Sequence, residues 1–441
     1  MIREDYKELV LVSDIPSNWS CQPIKRFIVD HFGGAWGEEQ KNDNNDRVCI
    51  RIADFDYSNR TVKEDLIPTI RNYTPETIKR LILKKGDIII EKSGGGDKTP
   101  VGRTIVFKQD YEALFANFSE RIRIQNKHNP EYINYALMAF YSIGGSFNYF
   151  NQTTGIQNLS MGKYLSDIYL PNPPLDEQNK IVKYLDSICG NINSIIKQHR
   201  NTIKRLTDYK NNYINQSITQ GIKSSPEMKN SLIDWLGDIP SNWQVKKIKY
   251  VFTIRKRIAG KDGLTVLSIT QNGIVPKNIE SNEGQIAESY ENYQIVEPGD
   301  FAMNHMDLLT GWVDVSKYSG VTSPDYRVFT LDDQENNDYR YFKYMMQMFY
   351  FNKIFYGLGA GISTKGRWRL QAPIFKNFKI PVPPLEEQRE IADSIEEKVT
   401  KIDSVVAKHT EIIEKLEEYK KSIIYHAVTG KIDCSGGAEN E

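Results

Sequence analysis

The chain has 441 residues, 39% of them apolar, and equal numbers of basic and acidic side chains, 57 of each. That length exceeds one ordinary domain and the apolar content suffices for two or more cores. Zero formal charge excludes a uniformly basic nucleic-acid binder, so any such surface must be local. No segment offers the roughly 18 uninterrupted apolar residues of a membrane span, and Arg3, Glu4, Asp5 and Lys7 interrupt any signal core. Four scattered cysteines, Cys21, Cys49, Cys189 and Cys434, suggest neither a zinc site nor a disulfide frame. A reduced, cytoplasmic protein with no membrane partner is expected.

In chain order, Asp14-Ile15-Pro16-Ser17-Asn18-Trp19 comes first and returns as Asp238-Ile239-Pro240-Ser241-Asn242-Trp243. Pro174-Leu175-Asp176-Glu177-Gln178 likewise returns as Pro384-Leu385-Glu386-Glu387-Gln388. Residues 174–222 align with 384–432 without a gap, placing His199 on His409 and Leu206 on Leu416, whereas the segments between the motifs match poorly. Such self-similarity marks a tandem duplication. The expected organisation is a first variable domain at 1–173, a long helix at 174–222, a linker at 223–237, a second variable domain at 238–383, a second long helix at 384–432 and a tail at 433–441.

The variable domains mix candidate strands (Asp87 to Ile90, Val101 to Phe107, Asp167 to Leu170) with aromatic helical runs (Tyr132 to Tyr141, Tyr341 to Phe351). In the similar segments, Ile181, Leu185, Ile188, Ile192, Ile196, Ile203 and Leu206 recur at helical steps. Prolines precede each segment, and Gly221 and Gly430 stand where the helices should stop. Each helix is about 45 residues, roughly 65 Å long at 1.5 Å per residue. Isoleucines at 181, 192, 203 and 214, and at 391, 402, 413 and 424, repeat every eleven residues, the period of a nearly straight helix. The fold class is therefore α+β: two mixed α/β domains separated by two long helices that pack on each other, in a tandem repeat.

Catalytic chemistry finds little support. Pro171-Asn172-Pro173-Pro174 precedes Leu175 rather than the aromatic residue of an adenine-methyltransferase element, and reads as strand-to-helix punctuation. Ser93-Gly94-Gly95-Gly96-Asp97-Lys98-Thr99 resembles a phosphate loop only faintly, since Asp97 would repel phosphate. Asp87, Glu91 and Lys92 form no convincing nuclease cluster, because adjacent residues of a strand point to opposite faces. Six scattered histidines show no ligand spacing, so no catalytic or metal residue is assigned.

Several loops could read DNA, although solvated polar loops are the ordinary alternative. Lys92, Ser93, Gly94, Lys98 and Arg103 surround a glycine run, and Lys365, Arg367, Trp368 and Arg369 interleave cations with an aromatic ring. Guanidinium forks suit guanine edges and phosphates, while glycine admits close backbone approach. Thr154, Gln157, Asn158, Asn304 and His305 are lesser candidates for base contacts. Trp19 and Trp243 belong to the repeated motif and are assigned to packing. His199 and His409 hold the same place in two helices and are expected to meet in the seam, where one polar pair can fix register.

The repeated D-I-P-S-N-W, the repeated P-L-x-E-Q and the alternation of variable with similar segments resemble the specificity subunit of a type I restriction-modification system. The resemblance spans nearly the whole chain. It implies that each variable domain reads one half of a split, asymmetric target in double-stranded DNA. It further implies that the two long helices pack antiparallel as a pseudo-twofold repeat, set the spacer and dock two adenine-methyltransferase subunits, with endonuclease/translocase subunits joining later. No cofactor belongs to this chain on that reading; S-adenosylmethionine, ATP and magnesium belong to partners. A fused methylating enzyme and a protein-only scaffold are the competing classes, opposed respectively by the missing methyltransferase motif and by two divergent domains in like frames.

The helical period yields a prediction. Inserting eleven residues into each helix at matched places keeps the apolar phase and adds roughly 16 Å, equivalent to about five base pairs. Selection from a library with constant half-sites and a varied gap should return a longer gap or no bipartite binding. Retention of the original gap at full affinity would show that the helices do not set spacing.

Overall fold

The computed structural model describes residue 11 and residues 15–96, 99–153, 155–279, 287–359 and 368–434. Two helices dominate it: a central helix, Leu175–Gln220, and a terminal helix, Leu385–Val428. Each follows a Pro-Pro pair and carries acidic residues in its first turn, Asp176 and Glu177 or Glu386 and Glu387, where the amide ends favour negative charge. Beyond their C-terminal ends, Gly221 and Gly430 adopt φ of 75° and 71°, the left-handed conformation that glycine enters without a Cβ clash.

The chain forms two compact units, one holding residues up to 200 together with those from 410 onward, the other holding 201–409. Each unit thus combines one variable domain, the first part of the helix that follows it, and the last part of the other helix. In the first unit Lys420 Nζ donates to Asn193 Oδ1 (2.7 Å) and Arg200 Nη2 to Glu417 Oε1 (2.9 Å). In the second, Lys210 Nζ donates to Asp403 Oδ1 (2.7 Å) and Tyr213 Oη meets Ser394 Oγ (2.6 Å). Partner numbers fall as helix numbers rise, so the helical segments run antiparallel in both units. Ile181, Leu185, Ile192, Ile391, Ile395 and Ile402 are buried, whereas Ile203 and Ile413, midway along, are half-buried.

Both variable domains use one sheet plan. In the first, strands Ile28–Gly33, Ser119–Ile124, Ile88–Glu91 and Thr104–Val106 lie side by side, all antiparallel. In the second, Phe252–Arg255, Arg327–Leu331, Phe301–Met303 and Val313–Val315 repeat that order. A helix of 13 residues follows each sheet, Pro130–Ser142 and Tyr339–Phe351. The remaining lobes differ: a three-stranded sheet with a core around Cys49, Ile50 and Phe115 in the first domain, and a smaller core around Leu267, Ile274 and Val296 in the second.

The repeated motifs join domain to helix. Gln178, 1% exposed, accepts the backbone N–H of Asn129 (2.8 Å) and donates to the Pro173 carbonyl (2.9 Å). Gln388 does the same with Asp338 N–H (2.9 Å) and Pro383 O (2.9 Å). Asn129 and Asp338 are themselves the N-caps of the two 13-residue helices, so each glutamine satisfies a half-buried amide that no helical carbonyl can reach. Tyr132 Oη donates to the Val428 carbonyl (3.2 Å) and Tyr341 Oη to the Ile218 carbonyl (3.3 Å), pairing late carbonyls of the long helices. Each motif tryptophan closes a Pro-Ser-Asn-Trp turn, Trp19 N–H to Pro16 O (2.9 Å) and Trp243 N–H to Pro240 O (3.0 Å). A Cβ on Gly430 would lie 3.1 Å from the Trp19 ring and 2.4 Å from Pro16; one on Gly221 would lie 3.3 Å from the Trp243 ring.

The copies differ in detail. Trp19 Nε1 donates to Glu177 (2.9 Å), whereas Glu387 receives Asn242 Nδ2 (3.0 Å), leaving the Trp243 indole N–H buried and unpaired. The segment read as a linker contains strand Met228–Asn230, paired antiparallel with Asp238–Pro240, because Ser231 N–H donates to Gly237 O (3.1 Å) and closes a hairpin.

Gln388→Ala leaves the buried Pro383 carbonyl and the half-buried Asp338 N–H without their partner, at a combined cost of roughly 2 kcal/mol or more. Urea unfolding should show a loss of about 2 kcal/mol or more, while Lys401→Ala, at an exposed helical pair, should leave the midpoint unchanged. Equal effects of the two changes would remove the glutamine from its structural role.

Candidate nucleic-acid interface

In the first domain a small sheet gathers four of the sequence candidates: Ser93–Gly94, Ile156–Leu159 and Phe150–Thr153 pair in register, with Gln157 opposite Gly94 and Asn158 opposite Ser93. Strand alternation sends Gln157 inward, where its side-chain oxygen accepts Val101 N–H (3.1 Å). Asn158 points outward and accepts the Ser93 hydroxyl (2.8 Å). Gly95, at φ 65°, lies so near Gln157 that a Cβ there would sit 2.8 Å from Oε1. Gln157 is therefore a strut of this edge, and Asn158 its exposed polar group.

Arg103 and Lys92 have internal partners. Arg103 forms a fork with Glu91 (2.7 and 3.2 Å) and lies 4.1 Å over the Tyr57 ring, beside a ≈340 Å³ cavity lined partly by Tyr141 and Phe147. Lys92 approaches Glu120 (3.5 Å), which also bonds His31. Asp87 is held by a fork from Arg123 (2.7 Å twice). The carboxylates considered for a nuclease cluster thus each face an arginine. Among the described residues no group of His, Cys, Asp and Glu could hold a metal ion, and no helix is long and apolar enough to cross a membrane. Lys98, Thr154, Lys365 and Arg367 lie outside the described residues.

In the second domain Asn304 caps its own loop, its Oδ1 accepting Met306 N–H (3.2 Å) and its carbonyl accepting Tyr350 Oη (2.8 Å). His305 is 5% exposed, and its carbonyl accepts Leu370 N–H (3.0 Å), which joins this loop to the segment carrying Trp368 and Arg369. Trp368 packs on Tyr356 with ring centroids 5.3 Å apart, and Arg369 is exposed. Burial, then Arg327 and Arg369, push the His305 imidazole down to about 3, so it is neutral. His199 and His409 are both half-buried in their helices.

Arg327 was not legible as a site residue, because it opens a strand of ordinary β pattern, Arg327–Leu331. The sheet registers show what it corresponds to. Gly86-Asp87 precedes Ile88 as Gly299-Asp300 precedes Phe301, placing Lys92 on His305. Ile122 faces Ile88 as Phe329 faces Phe301, placing Glu120 on Arg327. The same two frame positions carry an acid-compensated Lys–Glu pair in one domain and a His–Arg pair in the other.

Fold and site together define a duplicated protein with one frame and different chemistry at its matched positions. Residues 33–205 and 240–418 each match the type I restriction modification DNA specificity domain. The chain belongs to that family, the type I restriction-modification specificity subunits. It is similar to the type I restriction enzyme MjaVIII specificity subunit of Methanocaldococcus jannaschii, 26% identical over 81% of each chain. The putative MjaX specificity subunit of the same organism is 23% identical over 96% of this chain and 95% of the relative. A solved chain from work on complex assembly and conformational transition of the type I R-M system shares the fold, with a TM-score of 0.64 at 13% identity, covering 95% of this chain and all of that one.

The neutral His305 makes stability depend on pH. Its folded value, about 3, lies below the ordinary 6.5, so protonation favours the unfolded chain; the stabilisation is complete above 6.5 and is lost as pH falls toward 3. Between pH 7 and 5.5 the loss should be about 1 kcal/mol, and His305→Gln should remove that increment from urea unfolding curves. An identical pH difference in wild type and variant would refute it.

Proposed function

We propose that this chain is the non-catalytic DNA-reading component of a cytoplasmic type I restriction-modification complex. Each variable domain reads one half of a bipartite, asymmetric duplex target. The long helices set the gap and dock two adenine-methyltransferase subunits, to which endonuclease/translocase subunits add. The observation that carries this reading is one frame with two chemistries at matched positions: identical strand order and glutamine clasps, yet Lys92 with Glu120 in one copy and His305 with Arg327 in the other. A frame repeated for packing alone has no reason to diverge there, whereas two readers of unlike sequences must. Ile195, Tyr209, Val405, Ile412 and Tyr419 are exposed apolar groups on the helices and suit partner docking. His199 and His409 remain candidates for fixing helix register, and Asn158, Asn304, Trp368 and Arg369 for DNA contact, with Lys98, Thr154, Lys365 and Arg367. S-adenosylmethionine, ATP and magnesium act on the partner subunits.

Purified chain incubated with labelled S-adenosylmethionine and host DNA should transfer no methyl group. Adding the methyltransferase subunits encoded with it should give adenine methylation at one split target. Methylation by the lone chain, or by the complex at unsplit sites, would overturn the reading.

A further inference from the structure

In the second domain, positive charge gathers at one place with no acid paired to it among the described residues. Arg327 is 5% exposed; its Nη2 donates to the Leu370 carbonyl (2.9 Å), its guanidinium lies 4.6 Å from the Phe375 ring centre, and its buried Nη1 has no hydrogen-bond partner. No carboxylate among the described residues forms an ion pair with it. Burial, with Arg369 close by, lowers its affinity for its proton to about 10. His305, also 5% exposed, leaves Nδ1 without a partner.

Such an arrangement is costly unless something supplies an acceptor. A guanidinium offers only donors, and a buried donor left empty costs more than a hydrogen bond returns. The corresponding positions of the first domain show the compensated alternative, Lys92 against Glu120. In the second domain the acid's place is taken by Arg327 itself, and the neighbouring imidazole is neutral, so it adds no repulsion and offers one donor and one acceptor. Arg369, exposed on the segment bonded to His305, supplies a second fork.

We propose that His305, Arg327 and Arg369 form an acceptor-binding pocket of the second variable domain, taking an acceptor-rich group of duplex DNA, the major-groove edge of a guanine or a backbone phosphate. The inference rests on the DNA-reading function proposed above and names where one of its two halves makes contact. The acceptor meets Arg369 first and draws on the unfilled Nη1 behind it. Guanine presents O6 and N7 to such a fork, and phosphate presents its oxygens. The first domain, with its cation already neutralised at the matching place, reads its half by other groups.

The test uses the full chain in complex with its methyltransferase subunits, bound to the target defined by methylation. Each guanine of the half read by the second domain is replaced in turn by 7-deazaguanine, and each phosphate by methylphosphonate. One replacement should weaken wild-type binding roughly ten-fold or more. That replacement should have no further effect on Arg369→Ala or Arg327→Lys complexes, whose binding to the intact target is already weaker, while the other half-site stays fully discriminated. Sensitivity to 7-deazaguanine assigns the base edge; sensitivity to methylphosphonate assigns the backbone. Should Arg327→Lys fail to fold, the exposed Arg369→Ala carries the same comparison. If wild type selects its split target but both variants match it at every replacement, the pocket is refuted and the DNA-reading function stands. If wild type selects no split target, both fall.

Discussion

A helix of more than forty residues with one narrow apolar stripe cannot bury that stripe by itself, and everything else in this structure follows from how the two long helices meet the constraint. Within each unit the segments lie antiparallel, so the start of one helix packs beside the end of the other. Ile181, Leu185 and Cys189 share a core with Ile423, Ile424 and Val428 in the first unit. Ile214 and Ile218 share another with Ile391 and Ile395 in the second. Each variable domain is completed by a helix end from the other repeat: Trp19 meets Gly430, and Trp243 meets Gly221. Neither repeat therefore closes its core with its own residues alone.

That dependence explains which residues recur. Gln178 and Gln388 accept the amides of two N-cap residues, and Tyr132 and Tyr341 donate to late carbonyls of the other repeat's long helix, so these positions answer to backbone geometry common to both copies. Positions answering to a ligand have no such common demand. The charge at the matched place of Glu120 and Arg327 is opposite in sign, and the cations around it have adjusted: lysine beside the acid, neutral histidine beside the arginine.

Much of the frame was legible because it is repeated. Motif recurrence located both helices, and the glycines and prolines bounded them, since helix ends are specified by local backbone chemistry. The mixed α/β character of the domains was also readable from alternation and from the aromatic helical runs. The site was less so. Gln157 and Arg103 have polar types suited to base contacts, but the sheet turns Gln157 onto Val101 N–H and Glu91 captures Arg103, outcomes of tertiary pairing that no spacing reveals. Arg327 was missed for the converse reason: its strand pattern is unremarkable, and its significance comes from an acid that is absent at the matched position. The strand inside the expected linker, Met228–Asn230, depends on a hairpin closed from Gly237, a contact invisible to composition.

Electrical neutrality then acquires a physical meaning. Arginines that would give a DNA-binding surface its charge are paired internally: Arg60 with Asp186, Arg103 with Glu91, Arg123 with Asp87, and Arg340 with Asp338, Asp393 and Glu396. These pairs hold loops and helices in place, and side chains so paired would release few counterions to a duplex. On the proposed function, the non-specific affinity that comes from phosphate contacts must then be supplied largely by partner subunits. On the same proposal this chain contributes discrimination, which depends on a few placed donors and acceptors rather than on total charge. A low background of its own charge serves that division of labour: a strongly basic reader would bind every sequence almost as well as its target, and the difference between right and wrong bases would be a smaller share of the whole.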